Sequence, residues 1–298
     1  MESLTCRAPA KVNFFLRVGE KKSPNGLHKI QSLIRKVGIF DKIYFNITGG
    51  DYNVKVIAGE NIKKSRIKFD IESISNENNI AVKAAKSFFE RAGIFNRGID
   101  ILIEKNIPFN AGLGGGSSDA AGLLLKLNEK FGGILDKTEL RELALKTGSD
   151  VPFFLSEGDA IVSGFGEDIE EIKAGELPRY YIALIIPDFG VSTKEAYSDY
   201  DDFILTNNIN YYNIHFLDFK HLEFINDFER VIFDRHPVLK EIKESLILSG
   251  AEGALLSGSG SAIFGAFRTE EKARLYLDNL KSFLFYERIN LSFLTATL

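Results

Sequence analysis

The 298-residue sequence contains a single cysteine, Cys6, so no disulfide can close within the chain, and a reducing, cytoplasmic setting is expected. It has no excess of positive charge: 37 Lys and Arg against 41 Asp and Glu give a formal net charge of -4, without any basic block. Nucleic acid and anionic membrane surfaces are therefore not expected partners. Long hydrophobic runs are missing too. Arg7, Lys11 and Arg17 interrupt the apolar residues near the N-terminus, so no secretory h-region is read, and no window approaches a membrane span. Tryptophan is absent while phenylalanine occurs 25 times, which predicts a Phe-rich core and is silent on function. The remaining composition, 45% hydrophobic and 26% charged, is that of a globular chain long enough for two modest domains or one large one.

Glycine, by contrast, is concentrated. Pro108, Phe109, Asn110, Ala111, Gly112, Leu113, Gly114, Gly115, Gly116, Ser117 and Ser118 lead into Leu123, Leu124, Leu125 and Leu127, an apolar run at helical spacing. A glycine-rich turn feeding a helix N-terminus leaves backbone N–H groups bare where the helix dipole favours an anion. A flexible loop ending on an N-cap serine is the plainer alternative. It does not account for ordered small residues running directly into a helix. The two standard phosphate loops do not fit: no Lys-Ser/Thr pair follows the last glycine, and Ser117 stands where a dinucleotide fingerprint needs its third glycine.

Along the chain, residues 6–18 read as a strand with Val12, Phe14, Leu16 and Val18 on one face and Lys11, Asn13, Phe15 and Arg17 on the other. Lys11 and Asn13 thus point the same way. Ser23-Pro24-Asn25-Gly26 is a turn, followed by Leu27 and His28. Strands are expected at 33–39, 43–47, 54–58 and 67–71, a helix from Asn79 to Ala92, and a strand from Gly98 that delivers the chain to the glycine loop. Asp136 and Glu139 read as a capping box opening a helix that stops at Gly148. Asp150 follows, at the rim of an apolar run, where a carboxylate is either structural or a base. The charge-rich 168–178 stretch is the expected boundary between domains 1–168 and 169–298. Tyr180 to Ile186 is a buried strand, 199–224 a mixture of helix and loop, and Asp234 to Leu248 a helix. A second glycine-serine turn, Ser257, Gly258, Ser259 and Gly260, sits between two apolar strands and reads as a hairpin bend or a second wall of a phosphate site. A helix over 269–280 and a strand near 288–296 complete the chain.

Three of these stretches resemble the motifs of the GHMP kinases, the family of galactokinase, homoserine kinase and mevalonate kinase, in that family's order: Ala8 to Asn13, Ile107 to Ala121, and Leu256 to Gly260. Ala111 to Ala121 and Gly148 to Phe154 match the branch whose substrate is a cytidine diphosphate-linked methylerythritol, and Asn226-Asp227-Phe228-Glu229 resembles its Asn-Asp-Leu-Glu segment. The resemblance implies an α+β fold: an N-terminal ATP-binding domain of the ribosomal protein S5 type, then a ferredoxin-like C-terminal domain. It also implies ATP and Mg²⁺, with Pro108 to Ser118 around the phosphates and Ser118 toward the metal. Lys11 and Asp150 match the catalytic pair, Asn13 a substrate contact, and His28 the histidine that reads cytosine. Leu27 stands where that branch usually has tyrosine, one side of a sandwich around the base, and Tyr197 is expected on the other side. The rival readings are a kinase for homoserine or a mevalonate derivative, and a silent nucleotide-binding regulator. An RNA-binding protein on an S5-type fold fails for want of a basic patch.

Overall fold

The computed structural model describes residues 3–21, 27–207 and 224–298, the side chains of residues 20 and 21 excepted. The expected turn at 23–26, with Asn25, lies outside the described residues, as does most of the 199–224 segment. The first elements in chain order are β1 (Leu4–Lys21), β2 (His28–Thr48), β3 (Tyr52–Ala58), α1 (Glu60–Lys63), α2 (Ile80–Arg91), β4 (Gly98–Lys105), α3 (Gly115–Lys130), α4 (Lys137–Thr147) and α5 (Val151–Leu155). They continue as β5 (Ala160–Gly164), β6 (Asp168–Glu171), β7 (Tyr181–Pro187), α6 (Thr193–Thr206), α7 (Glu229–Arg235), α8 (Pro237–Leu248), β8 (Gly253–Leu256), β9 (Ile263–Phe267), α9 (Glu270–Asp278) and β10 (Ile289–Ala296). Among the described residues no helix is long and apolar enough to cross a membrane.

By packing, the chain forms two units: Met1–Ala10, Ile39–Phe109 and Gly114–Glu157 in one, Lys11–Gly38, Asn110–Leu113 and Gly158–Leu298 in the other. They are interleaved because β1 and β2 each contribute residues to both. A single cut at 168/169 therefore divides the sequence without dividing the packing, and residues 158–168 belong to the second unit.

In the first unit, Lys42–Thr48 of β2 run antiparallel to β4, which pairs in parallel with β3. α2 forms because Ala81, Ala84, Ala85 and Phe88 recur at helical spacing and bury one face, while Asn79 caps its start by accepting from the Ala81 N–H at 2.9 Å. α4 opens on the capping box, Glu139 N–H to Asp136 at 2.8 Å and Asp136 N–H to Glu139 at 3.1 Å. In the second unit, β7, β8, β9 and β10 form an antiparallel sheet in the order β10-β7-β9-β8. With α6 to α8 after β7 and α9 after β9 this is the βαββαβ plan of a ferredoxin-like fold. Its core includes Ala183, Ile185, Leu239, Ile242, Leu246 and Phe267.

Three local expectations are corrected. The strands expected at 33–39 and 43–47 are one strand of 21 residues, because Asp41 makes no turn: its carboxylate is engaged by the 105–107 segment. The alternating 67–71 stretch is no strand. Phe69 packs on the Phe109 ring at 4.6 Å, and Asp70 accepts from the Ser73 N–H to start a short 3₁₀ turn. The 234–248 helix is broken at His236, whose extended backbone (φ -132°, ψ 73°) precedes Pro237 and ends α7.

Candidate active site

β1 presents Lys11 and Asn13 on one face, as alternation requires, but both faces of the strand are buried. Lys11 and Asn13 are each 4% exposed, so neither lies on a solvated face. Lys11 Nζ donates to Asn13 Oδ1 at 2.7 Å, and Asn13 Nδ2 donates to Ser32 Oγ at 2.8 Å, so the amide is fixed with its oxygen toward the ammonium. The Lys11 backbone N–H donates to Leu113 O at 3.0 Å, tying β1 to the glycine loop. Gly112 lies at φ +75°, and a Cβ there would stand 1.9 Å from Ser257 O, so the position has room for nothing larger than glycine. Ser257 Oγ donates to Gly112 O at 2.9 Å, and Ala262 N–H donates to Ala111 O at 3.2 Å. A Cβ on Gly258 would meet Lys11 Nζ at 3.4 Å. Asn110–Leu113, Ser257–Gly260, Lys11 and Asn13 are thus brought together within the second unit.

Further along the loop, α3 starts within the glycine run. Gly114 is its left-handed N-cap, and Gly115, Gly116, Ser117 and Ser118 already form its first turn. The Ser118 N–H closes the first helical bond, to Gly114 O at 2.9 Å, which leaves the N–H groups of Gly114 to Ser117 without intrahelical partners. The Ser118 hydroxyl is buried with no hydrogen-bond partner among the described residues.

Beneath this turn lies a cluster that the sequence did not reveal. Lys105 Nζ donates to Asp119 at 2.9 Å and to Asp41, and Asp41 Oδ1 accepts the N–H groups of Asn106 and Ile107 at 2.6 and 2.8 Å. All three side chains are buried. A Cβ on Gly115 would lie 3.1 Å from Lys105 Nζ, so the ammonium sits directly against the first turn of α3. Burial pulls the Lys105 pKa down, but Asp119 and Asp41 outweigh it and hold the ammonium above its usual range. Burial raises the Asp119 carboxyl well above the ordinary carboxylate range against the attraction of Lys105. A signal was available: Asp119 lies one turn before Leu123 on the buried stripe of α3, where a charge requires a partner.

Asp150, half-buried, occupies the residue before α5, with Val151 and Phe153 buried behind it. It belongs to the first unit and Lys11 to the second. His28 and Tyr197 share the second unit and stack, ring centroids 5.1 Å apart and 22° between planes, with Phe228 edge-on to Tyr197. No base fits between rings in stacking contact. Both nitrogens of His28 are engaged, Nδ1 with Gly19 O at 2.9 Å and Nε2 facing Asp201 Oδ1 at 3.1 Å. Leu27 beside it is 53% exposed.

Buried polar residues on joined glycine turns, set in a βαββαβ unit, find their counterpart in one family. Residues 79–158 match the GHMP kinases N terminal domain and residues 213–284 match the GHMP kinases C terminal domain. The chain belongs to the GHMP kinase family and has its two-part α+β fold. Its relatives include the 4-diphosphocytidyl-2-C-methyl-D-erythritol kinase of Syntrophotalea carbinolica, 38% identical over 92% of this chain and 93% of the relative. The enzyme of the same name from Geobacter metallireducens is 38% identical over 92% of each chain. A crystal structure of 4-(cytidine 5'-diphospho)-2C-methyl-D-erythritol kinase superimposes with a TM-score of 0.71 at 27% identity, covering 99% of this chain and all of the other.

Proposed function

We propose that the protein is a small-molecule kinase that transfers the γ-phosphoryl group of ATP to the 2-hydroxyl of 4-diphosphocytidyl-2-C-methyl-D-erythritol, a cytoplasmic step of the non-mevalonate isoprenoid precursor pathway. Relatives of that name spanning more than nine-tenths of both chains support the reading. The observation that carries the chemistry is the meeting of Gly112 with the buried Ser257 and Lys11 in one cluster. In this reading residues 1–168 form the ATP-binding domain and 169–298 the C-terminal domain.

Phosphoryl transfer passes through a loose transition state, so the protein mainly positions groups and neutralises charge. The bare N–H groups of Gly114 to Ser117 suit phosphate oxygens, and the unpartnered Ser118 hydroxyl suits Mg²⁺. Mg²⁺, when bound, offsets the charge on the phosphates. Pro108 to Leu113 complete the loop, and Ser257 to Gly260 close the phosphate side. The acceptor is a tertiary alcohol, crowded and weakly acidic, and Asp150 serves as the base that removes its proton. Lys11 stabilises the charge developing in transfer and Asn13 orients the alcohol, their mutual hydrogen bond fixing both groups. Leu27, His28 and Tyr197 line the cytidyl end. Since Tyr197 already stacks on His28, the base lies against an outer face of this pair.

The test is ATP consumption with the cytidyl alcohol, mevalonate and homoserine in parallel. Turnover confined to the cytidyl alcohol supports the reading. Preference for another alcohol, which Leu27 would suit, or no turnover with any, overturns it. Asp150→Asn is expected to lower kcat by about a hundredfold or more while ATP affinity holds. Near-normal turnover would remove Asp150 as the base.

A further inference from the structure

The Asn226–Glu229 segment has no part in the chemistry above, yet its side chains grip the second glycine turn from behind. β8 is an edge strand, so the outward N–H and C=O of its last residue, Leu256, find no strand partner on that side. Glu229 and Asn226 supply the partners. Glu229 Oε1 accepts the Leu256 N–H at 2.9 Å, and Asn226 Nδ2 donates to Leu256 O and to Gly258 O, both at 2.8 Å. Asn226 Oδ1 accepts from the Phe228 N–H at 3.0 Å, which sets the amide's orientation and leaves the 3%-exposed side chain bonded at both ends. The same segment is tied to the strand that carries Lys11 and Asn13. Leu16 N–H donates to Ile225 O at 2.8 Å, Asp227 N–H to Leu16 O at 3.0 Å, and Val18 N–H to Asp227 Oδ2 at 2.9 Å.

We infer that Asn226 and Glu229 are positioning residues. They fix the Ser257–Gly260 turn relative to β1, and through that turn the conformation of Gly112 and the surroundings of Lys11. The path is continuous within one unit. Asn226 and Glu229 hold Leu256 and Gly258; Ser257 Oγ holds Gly112 O at 2.9 Å; and the Cα of Gly258 faces Lys11 Nζ. Backbone donors act on phosphate only when held within a fraction of an ångström, and a turn of small residues does not hold itself there. Asn226 supplies two donors that no apolar residue replaces, and Glu229 an acceptor that glutamine preserves.

The kinetic meaning of this inference rests on the proposed kinase activity, so the test has a readout that needs neither nucleotide nor alcohol. Amide hydrogen exchange of residues 257–261 is compared in the unaltered protein, Asn226→Ala, Glu229→Ala, Glu229→Gln and Lys243→Met. Lys243 pairs with the other oxygen of Glu229 at 2.5 Å, so Lys243→Met removes that ion pair while leaving Oε1 to accept the Leu256 N–H. Exchange at 257–261 is expected to rise about tenfold or more in Asn226→Ala and Glu229→Ala and to stay within about threefold in the other two variants. In the kinase assay kcat/KM for ATP falls in the two alanine variants by about tenfold at unchanged cytidyl KM, and Glu229→Gln restores it. Unchanged exchange in a folded Asn226→Ala overturns the inference, as does a rise spread evenly over the unit. Should Asn226→Ala fail to fold, Asn226→Ser keeps one donor and carries the same two outcomes. If the unaltered protein phosphorylates no alcohol, the kinase reading falls and the exchange data still decide this one.

Discussion

Replacing Lys105 with methionine takes the ammonium from between two buried carboxylates. Asp41 is 0% exposed and Asp119 2%. Asp41 keeps two backbone N–H groups, those of Asn106 and Ile107, whereas Asp119 Oδ1 has no hydrogen-bond partner among the described residues even in the intact cluster. Removing one member of a buried ion pair costs about 3–5 kcal/mol, chiefly because the other charge stays behind unpaired. The loss depends on pH with a definite sign. The Asp119 carboxyl is raised in the folded protein by burial, against the pull of Lys105, so its ionised form disfavours folding. Its contribution is most favourable at acid pH and declines as pH rises from the unfolded value of about 3.9 through the raised folded value. Without Lys105 the Asp119 carboxyl loses the attraction that opposes burial and rises further. The decline then spans a wider window, at up to about 1.4 kcal/mol per pH unit for each proton released. The lysine's own pKa is also raised, so in the parent it stays charged across this range and adds no pH dependence of its own. Urea unfolding of parent and Lys105→Met should differ by about 3–5 kcal/mol at pH 8 and converge toward pH 4. A difference below about 1 kcal/mol at pH 8, or one independent of pH, would refute the reasoning.

Two further substitutions probe the loops. Gly112→Ala places a methyl group 1.9 Å from Ser257 O at a backbone angle that suits glycine, so the two turns must part; kcat/KM for ATP should fall by about a hundredfold, and wild-type kinetics would show that the contact is dispensable. Leu27→Tyr adds a ring beside His28 and Tyr197 at a half-exposed site. It should tighten binding of cytidine diphosphate by roughly two- to tenfold in calorimetry without moving ATP affinity, and an unchanged cytidyl constant would place the base elsewhere.

What could be read in the sequence was whatever a single element decides for itself. The helix of Ile80–Arg91 shows its buried face in its own spacing, the capping box of Asp136 and Glu139 closes within four residues, and the shared face of Lys11 and Asn13 follows from strand alternation alone. What failed depended on a partner distant in sequence. Ile67, Phe69 and Ile71 alternate as a strand does, but alternation without a neighbouring edge makes no strand. Asp41 looks like a break between two short strands until Lys105, 64 residues on, is found to hold it. The break at His236 is different in kind, because the restriction that Pro237 imposes on its predecessor was present in the letters.

The same distinction runs through the site. The sequence joins Lys11, Gly112 and Ser257 only through the motifs that resemble the GHMP kinases, and the structure brings the three together. His28 is harder to assign from identity, since an imidazole offers two nitrogens and here both face acceptors, Gly19 O and Asp201. A ring held in this way can present its face, or turn Nε2 to a ligand atom that takes the place of Asp201. Tyr197 already covers one face. Under the proposed function, recognition of the cytidyl group depends on what surrounds the His28–Tyr197 pair, beside which Leu27 is exposed.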